Sequence, residues 1–184
     1  PIASKIINSG EKLTKNKIIL KRTNQKEIEP VEIILRSSAK KKIHKNESFT
    51  KYNLTKINPK IVAVIACRVD SERLFAKPLQ LLGKQPILYH IIEQIKQSTS
   101  INDIILAVSE NPGNDVFVEF AKQNKLKYVF GDETDVLSRL IKGAKYTKAD
   151  IVFRTTSENP YLIWNKIDDL IKNHVKGNYD YSFM

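Results

Sequence analysis

Ile61-Val62-Ala63-Val64-Ile65-Ala66-Cys67 is an unbroken apolar run of strand length, rich in β-branched side chains. A run of that kind suits a parallel strand covered on both faces. It predicts the opening strand of an α/β domain. Downstream, Pro86 can occupy the first turn of a helix in which Ile87, Leu88, Ile91, Ile92 and Ile95 recur at helical spacing as far as Ser98. Further strands are expected at 103–108, 126–129, 150–154 and 179–183, separated by helical patterns at 113–124, 133–146 and 163–174. Strand and helix alternating at this spacing predict a three-layer, Rossmann-like parallel sheet, whose ligands bind beyond the carboxyl ends of the strands.

Upstream of Ile61 the composition changes. The chain has 184 residues, 41% of them apolar, enough to bury a core and to exclude a disordered polymer. Its net charge of +11 is uneven: residues 1–60 carry 15 Lys and Arg against 5 Asp and Glu, and the remainder 16 against 15. The shift coincides with Asn58-Pro59, a pair that disfavours continued helix and reads as a linker. Two domains are expected, 1–57 and 58–184. Lys40, Lys41 and Lys42 form the one tight basic run, and Phe49 and Tyr52 are the only aromatics of residues 1–60. The stacking platform of a single-strand binder is therefore missing, and the basic run reads as a solvated face rather than a nucleic-acid site.

No apolar run is long enough to span a bilayer, and no basic-led apolar stretch with a small-residue cleavage site opens the chain. One cysteine, Cys67, cannot form an internal disulfide, and His44, His90 and His174 are too scattered for a zinc cluster. A reducing cytoplasm is expected, and no partner membrane. The chain opens at Pro1 without a methionine and reads as a segment of a longer protein.

If ligands bind where the first strand ends, the chemistry follows Cys67, in R-V-D-S-E-R-L-F-A-K-P-L-Q-L-L-G from Arg68 to Gly83. Arg68, Arg73 and Lys77 can converge on a polyphosphate, with Ser71 and loop N–H groups completing a cradle. Arginine takes phosphate oxygens in a bidentate fork, whereas lysine supplies a compact charge that can follow a phosphorus atom through its transition state. The same spacing equally describes a basic surface loop with no ligand. Cys67 reads as a small buried hydrophobe, His90 as structural, and Tyr161 and Trp164 as core or rim packing. No G-x-S-x-G elbow or Ser-His-Asp order marks a hydrolase.

The segment resembles the R-x-x-S-x-R-L-P-x-K signature of the spore-coat polysaccharide cytidylyltransferases, related to the CMP-sialate and CMP-octulosonate synthetases. Three further stretches match in the same order: L-G-K-Q-P-I-L-Y-H-I-I, G-D-E-T-D-V-L-S-R from Gly131 to Arg139, and R-T-T-S-E-N-P. The resemblance implies nucleotidyl transfer from CTP to an acidic sugar, with release of pyrophosphate. It gives Arg73 and Lys77 catalytic positions, puts Arg68, Ser71, Ala107, Ser109 and Asp135 at the nucleotide, and makes Glu158 the ligand of Mg²⁺. Departures from the signature are Asp70, Phe75 in place of proline, Ala76 in place of glycine and Ser157. A carboxylate beside the cradle repels a triphosphate, and Phe75 does not fix the turn as proline does.

Residues 1–57 repeat themselves. A shift of 36 residues pairs Ile7 with Ile43, Gly10 with Asn46, Glu11 with Glu47, Leu13 with Phe49, Thr14 with Thr50 and Ile18 with Leu54. Each copy reads as a short strand, a turn whose Gly or Asn tolerates positive φ, an apolar anchor and a threonine able to N-cap one helical turn. Neither copy can bury its apolar face alone, so the two are expected to clasp each other about a pseudo-twofold axis. The I-x-x-G-E-x-L-T run ending at Thr14 and the stretch Lys21 to Pro30 resemble the SAF, or antifreeze-like, β-clip domain of sialic acid synthases. That resemblance implies a homodimer or a synthase barrel as partner and a sugar-contacting role for Arg22. The two resemblances together describe a sugar-activating fusion. The altered loop leaves a second reading open, a catalytically impaired binding or scaffold piece.

Overall fold

The computed structural model describes residues 1–25, 27–70, 75–177 and 179–183. Ser71 and Arg73 therefore lie outside the described residues. The chain divides into two compact units, Pro1–Pro59 and Lys60–Met184.

In the first unit, β1 (Ile2–Ala3) pairs antiparallel with β2 (Ile18–Ile19), and β3 (Ser37–Ala39) pairs antiparallel with β4 (Leu54–Lys56). The pairings are copies of one another: Ala3 opposite Ile18 becomes Ala39 opposite Leu54 after a shift of 36 residues. At the axis itself, Ile7 and Ile43 exchange both backbone hydrogen bonds at 2.9 Å. Glu11 Oε2 accepts from Asn8 N–H at 2.9 Å, and in the second copy Glu47 Oε2 accepts from His44 N–H at 2.8 Å. Gly10 and Asn46 both adopt positive φ, 80° and 68°. These are the residue types that enter the left-handed region at least cost. The core is shared, with Ala3, Ile7 and Leu13 packed against Ala39, Ile43, Phe49 and Leu54. A short helix, α1 (Val31–Leu35), lies between the copies in sequence. Thr14 makes no capping bond. Its hydroxyl donates to Asn16 Oδ1 instead, and the turn that follows, Lys15–Lys17, is a 3-10 turn too short to leave several amides in need of a cap.

The second unit holds a four-stranded parallel sheet in the order β10-β5-β8-β9. Its strands are β5 (Ile61–Cys67), β8 (Asp103–Ser109), β9 (Lys127–Gly131) and β10 (Ile151–Thr156). A small hairpin, β6 (Leu81–Leu82) with β7 (Gln85–Pro86), leads into α2 (Ile87–Lys96). Pro86 sits at the N-cap of α2 rather than inside its first turn. The remaining helices are α3 (Asp115–Gln123), α4 (Val136–Thr147) and α5 (Trp164–Gly177). Because side chains alternate along a strand, Ala63, Ile65 and Cys67 of β5 meet α2, α3 and α5, while Val62 and Val64 meet α4 on the opposite face. Three layers result.

α4 approaches the sheet closely because Gly143 lacks a side chain: a Cβ there would stand 2.9 Å from Val64 Cγ1. The expected strand at 179–183 is not formed. Tyr181 and Phe183 alternate as a half-buried strand would, but both are exposed and no neighbouring strand pairs with them.

Candidate functional site

β5, β8 and β9 follow one another toward one side of the sheet, and β10 returns to the other side of β5. β5 and β10 are paired neighbours, so the segments leaving them emerge side by side, and the space beyond their carboxyl ends is the crevice in which a parallel α/β sheet binds ligands. Arg68 is exposed, whereas Val69 is buried and donates its N–H to Asn114 Oδ1 at 2.8 Å. The Val69 carbonyl accepts from Ala76 N–H at 2.8 Å, so the two ends of the intervening segment are tied together. Asp70 is exposed, and so is Phe75, at 65%. Ala76 carries a φ of +48° and opens a 3-10 turn at Lys77–Leu79. It thus stands in a left-handed conformation that glycine enters more readily.

Lys77, entering the crevice from the β5 side, meets Glu158, which leaves β10 on the other: Nζ lies 3.0 Å from Oε2. Their side chains are 36% and 38% exposed, so the pair remains within reach of solvent and of a ligand.

Beyond β9, Asp135 is exposed and N-caps α4, its Oδ1 accepting from Ser138 N–H at 2.8 Å. Asp132 accepts from Asp135 N–H and from the N–H and hydroxyl of Thr134, and these bonds hold its carboxyl below the usual range. Arg139 of α4 lies beneath this loop. It is only 2% exposed, and its Nη1 donates to the Asp132 carbonyl at 2.8 Å. Among the described residues its Nε has no hydrogen-bond partner, and burial depresses its pKa. No carboxylate among the described residues forms an ion pair with it. The Arg68 guanidinium adds to the repulsion it feels. The carboxylates of Asp132 and Glu133 act the other way and stabilise its charge.

The other expected site residues are placed differently. Ala107 and Ser109, the last residue of β8, have no exposed surface, and Ala107 lies under α4. Arg22 belongs to the first unit, exposed in an irregular stretch. Cys67 is fully buried, and loss of solvation pushes its thiol up to about 12, an unreactive state. His90 Nε2–H donates to the Leu82 carbonyl at 2.9 Å, a structural bond that holds the hairpin on α2. Tyr161 is exposed rather than packed into a core.

Asn114 and Asn111 were invisible to motif reading. Asn114 ties the segment after β5 to the turn after β8, donating also to the Asn111 carbonyl at 2.8 Å, and Asn111 in turn contacts Glu133 after β9. The signal in the sequence was the turn-forming Asn111-Pro112-Gly113-Asn114 immediately after a strand.

No group of three or more His, Cys, Asp or Glu among the described residues can hold a metal ion by itself. Glu158 is a single hard oxygen donor at the crevice, and one carboxylate is what Mg²⁺ asks of a protein when phosphates and water supply its remaining ligands. The donor set fits a cation that arrives with a polyphosphate.

The sequence pattern of the cytidylyltransferase family matches residues 62–184. An uncharacterized protein of Methanocaldococcus jannaschii is 33% identical over 122 residues, 66% of this chain and 50% of that protein. The spore coat polysaccharide biosynthesis protein SpsF of Bacillus subtilis is 25% identical over 128 residues, 67% of this chain and 53% of that protein. Among solved structures, a cytidylyltransferase from Leptospira borgpetersenii superposes with a TM-score of 0.61 at 25% identity, covering 64% of this chain and 50% of the other. The chain spans about half the length of the curated relatives it matches.

Proposed function

The chain belongs to the cytidylyltransferase family, and on that basis we propose that residues 58–184 bind CTP in the crevice between β5 and β10. In the whole protein, the cytidylyl group passes to a surface-polysaccharide sugar of nonulosonate type. The observation that carries this reading is the position of Arg68, Lys77, Glu158 and the Asp135 loop after the carboxyl ends of the strands, with Lys77 and Glu158 joined at 3.0 Å. Similarity to a spore coat polysaccharide biosynthesis protein supports a polysaccharide sugar as acceptor.

In this reading Arg68, Ser71 and Arg73 grip the β- and γ-phosphates, and Lys77 lies against the α-phosphate. A sugar hydroxyl attacks the α-phosphorus and gives up its proton to solvent, the bond to the bridging oxygen breaks, and pyrophosphate leaves with the electron pair. The arginines neutralise charge building on the leaving group, while Lys77 does so at the reacting phosphorus. Catalysis is then positioning and electrostatics. Mg²⁺ held by Glu158 would screen the phosphate charge. Backbone at Ala107 to Ser109 and the Asp135 loop would contact the nucleoside, since the side chains of Ala107 and Ser109 are buried.

Residues 1–57 are read as a SAF domain, supported by the pseudo-twofold exchange between Ile7 and Ile43. Arg22 then faces the sugar of a synthase barrel, in the same chain or in a homodimer. One polypeptide that builds and activates an acidic sugar accounts for the pairing.

Calorimetry with CTP and Mg²⁺ tests the proposal. Binding that is strongly weakened in Arg73→Ala and Lys77→Ala is expected. Absence of heat with every nucleoside triphosphate would overturn it in favour of a scaffold, and salt-sensitive affinity for generic DNA, unaffected by those substitutions, would favour a nucleic-acid binder.

A further inference from the structure

Glu158 does something at Lys77 that metal ligation alone does not require. Its Oε2 lies 3.0 Å from Nζ, joining the segments that follow β5 and β10, 81 residues apart in sequence. A carboxylate whose charge is shared with an ammonium is a weaker ligand for a cation, and an ammonium neutralised by a carboxylate attracts a polyanion less. Two states of the pair thus compete: closed on each other, or open with each side chain on a new partner. Both side chains are more than one-third exposed, so a ligand can compete for either.

We infer that the Lys77–Glu158 pair makes nucleotide binding conditional on a divalent cation. This rests on the proposed phosphate site. Without the cation, Glu158 neutralises Lys77 and repels the triphosphate. With it, Glu158 swings to the cation and Lys77 is released to phosphate. Glu158 is then a positioning residue as well as a metal ligand, and it discriminates against metal-free nucleotide. By linkage, whatever the cation does for CTP affinity, CTP does equally for cation affinity.

The test is calorimetric titration of CTP into the full chain, in EDTA and in excess Mg²⁺, for wild type, Glu158→Gln, Lys77→Met and the double variant, with melting curves to verify folding and Glu158→Ala as a second neutral replacement. In EDTA, Glu158→Gln is expected to bind CTP about tenfold more tightly than wild type, a size usual for coupled sites. Mg²⁺ should then improve its affinity far less than it improves that of wild type. The gain should vanish in the Lys77→Met background. An unchanged metal-free affinity in Glu158→Gln overturns the inference, as does a gain equally large without Lys77, which would reduce Glu158 to a bulk negative charge. If wild type binds Mg²⁺ and CTP but the variant gains nothing, only this inference fails. If neither protein binds CTP in any condition, the nucleotide reading fails first and takes this one with it.

Discussion

Asp168 of α5 gathers the end of α2: its two carboxylate oxygens accept from the hydroxyl of Ser98, the N–H and hydroxyl of Thr99, and the N–H of Ser100. Seventy residues separate Asp168 from Ser98, so this one side chain fixes where β8 begins relative to α5. Burial pushes its carboxyl up, but the hydrogen bonds from Ser98, Thr99 and Ser100 outweigh that and hold it well below the usual carboxylate range.

Asp168→Asn is expected to lower stability by about 2 kcal/mol, because an amide nitrogen would face donors where an oxygen now accepts. Since the folded-state pKa is depressed, the stabilisation from Asp168 is complete above the ordinary carboxylate value and declines as the pH falls below it. Urea unfolding of both proteins from neutral to strongly acidic pH checks this: the difference between them should narrow only in acid.

Ala76→Gly should stabilise the chain by about 1 kcal/mol, since φ at this position is +48° and the strain relieved exceeds the added entropy of the unfolded state. The shift in denaturant midpoint measures it. No gain would mean that the Ala76 conformation carries no strain.

Gly143→Ala should destabilise even though alanine is the better helix former by about 1 kcal/mol. The added methyl would stand 2.9 Å from Val64 Cγ1, a β-branched side chain locked in the sheet core. A net loss of about 1–2 kcal/mol is expected from overpacking. Thermal melting of the variant reads the sign directly.

Arg139 separates charge from volume. Arg139→Ala leaves a cavity under the Asp132 loop and is expected to cost about 3 kcal/mol. Arg139→Met fills the space and removes a guanidinium whose Nε has no partner among the described residues, so it should cost about 1 kcal/mol or less. Hydrogen exchange should nevertheless quicken at Thr134 and Asp135 in both, since the bond to the Asp132 carbonyl is gone.

The sheet was legible because its strands are continuous apolar runs. β5 begins at Ile61 and ends at Cys67 as its sequence alone implies. The repeat was equally plain, because a register of 36 residues carries its turn residues, its glutamates and its apolar anchors together. Reading failed where alternation had no partner to pair with, as at Tyr181 and Phe183, and where a threonine preceded a turn too short to need capping, as at Thr14. At the crevice, residue types showed which groups could hold phosphate, but not that Glu158 would reach Lys77 from another strand. That contact depends on the order β10-β5, and strand order is a property of the whole sheet. Arg139 and Asn114 were hidden for the same reason: each acts on a loop that another strand delivers.

Where CTP sits on the chain is read from the residue-by-residue change in amide chemical shift on titration with CTP and Mg²⁺. Binding in the crevice predicts changes concentrated at the carboxyl ends of the strands: 68–70, 76–80, 109–111, 131–135 and 156–158. Changes confined to residues 1–59, or to the opposite strand ends near Lys60, Asn102 and Asp150, would contradict it.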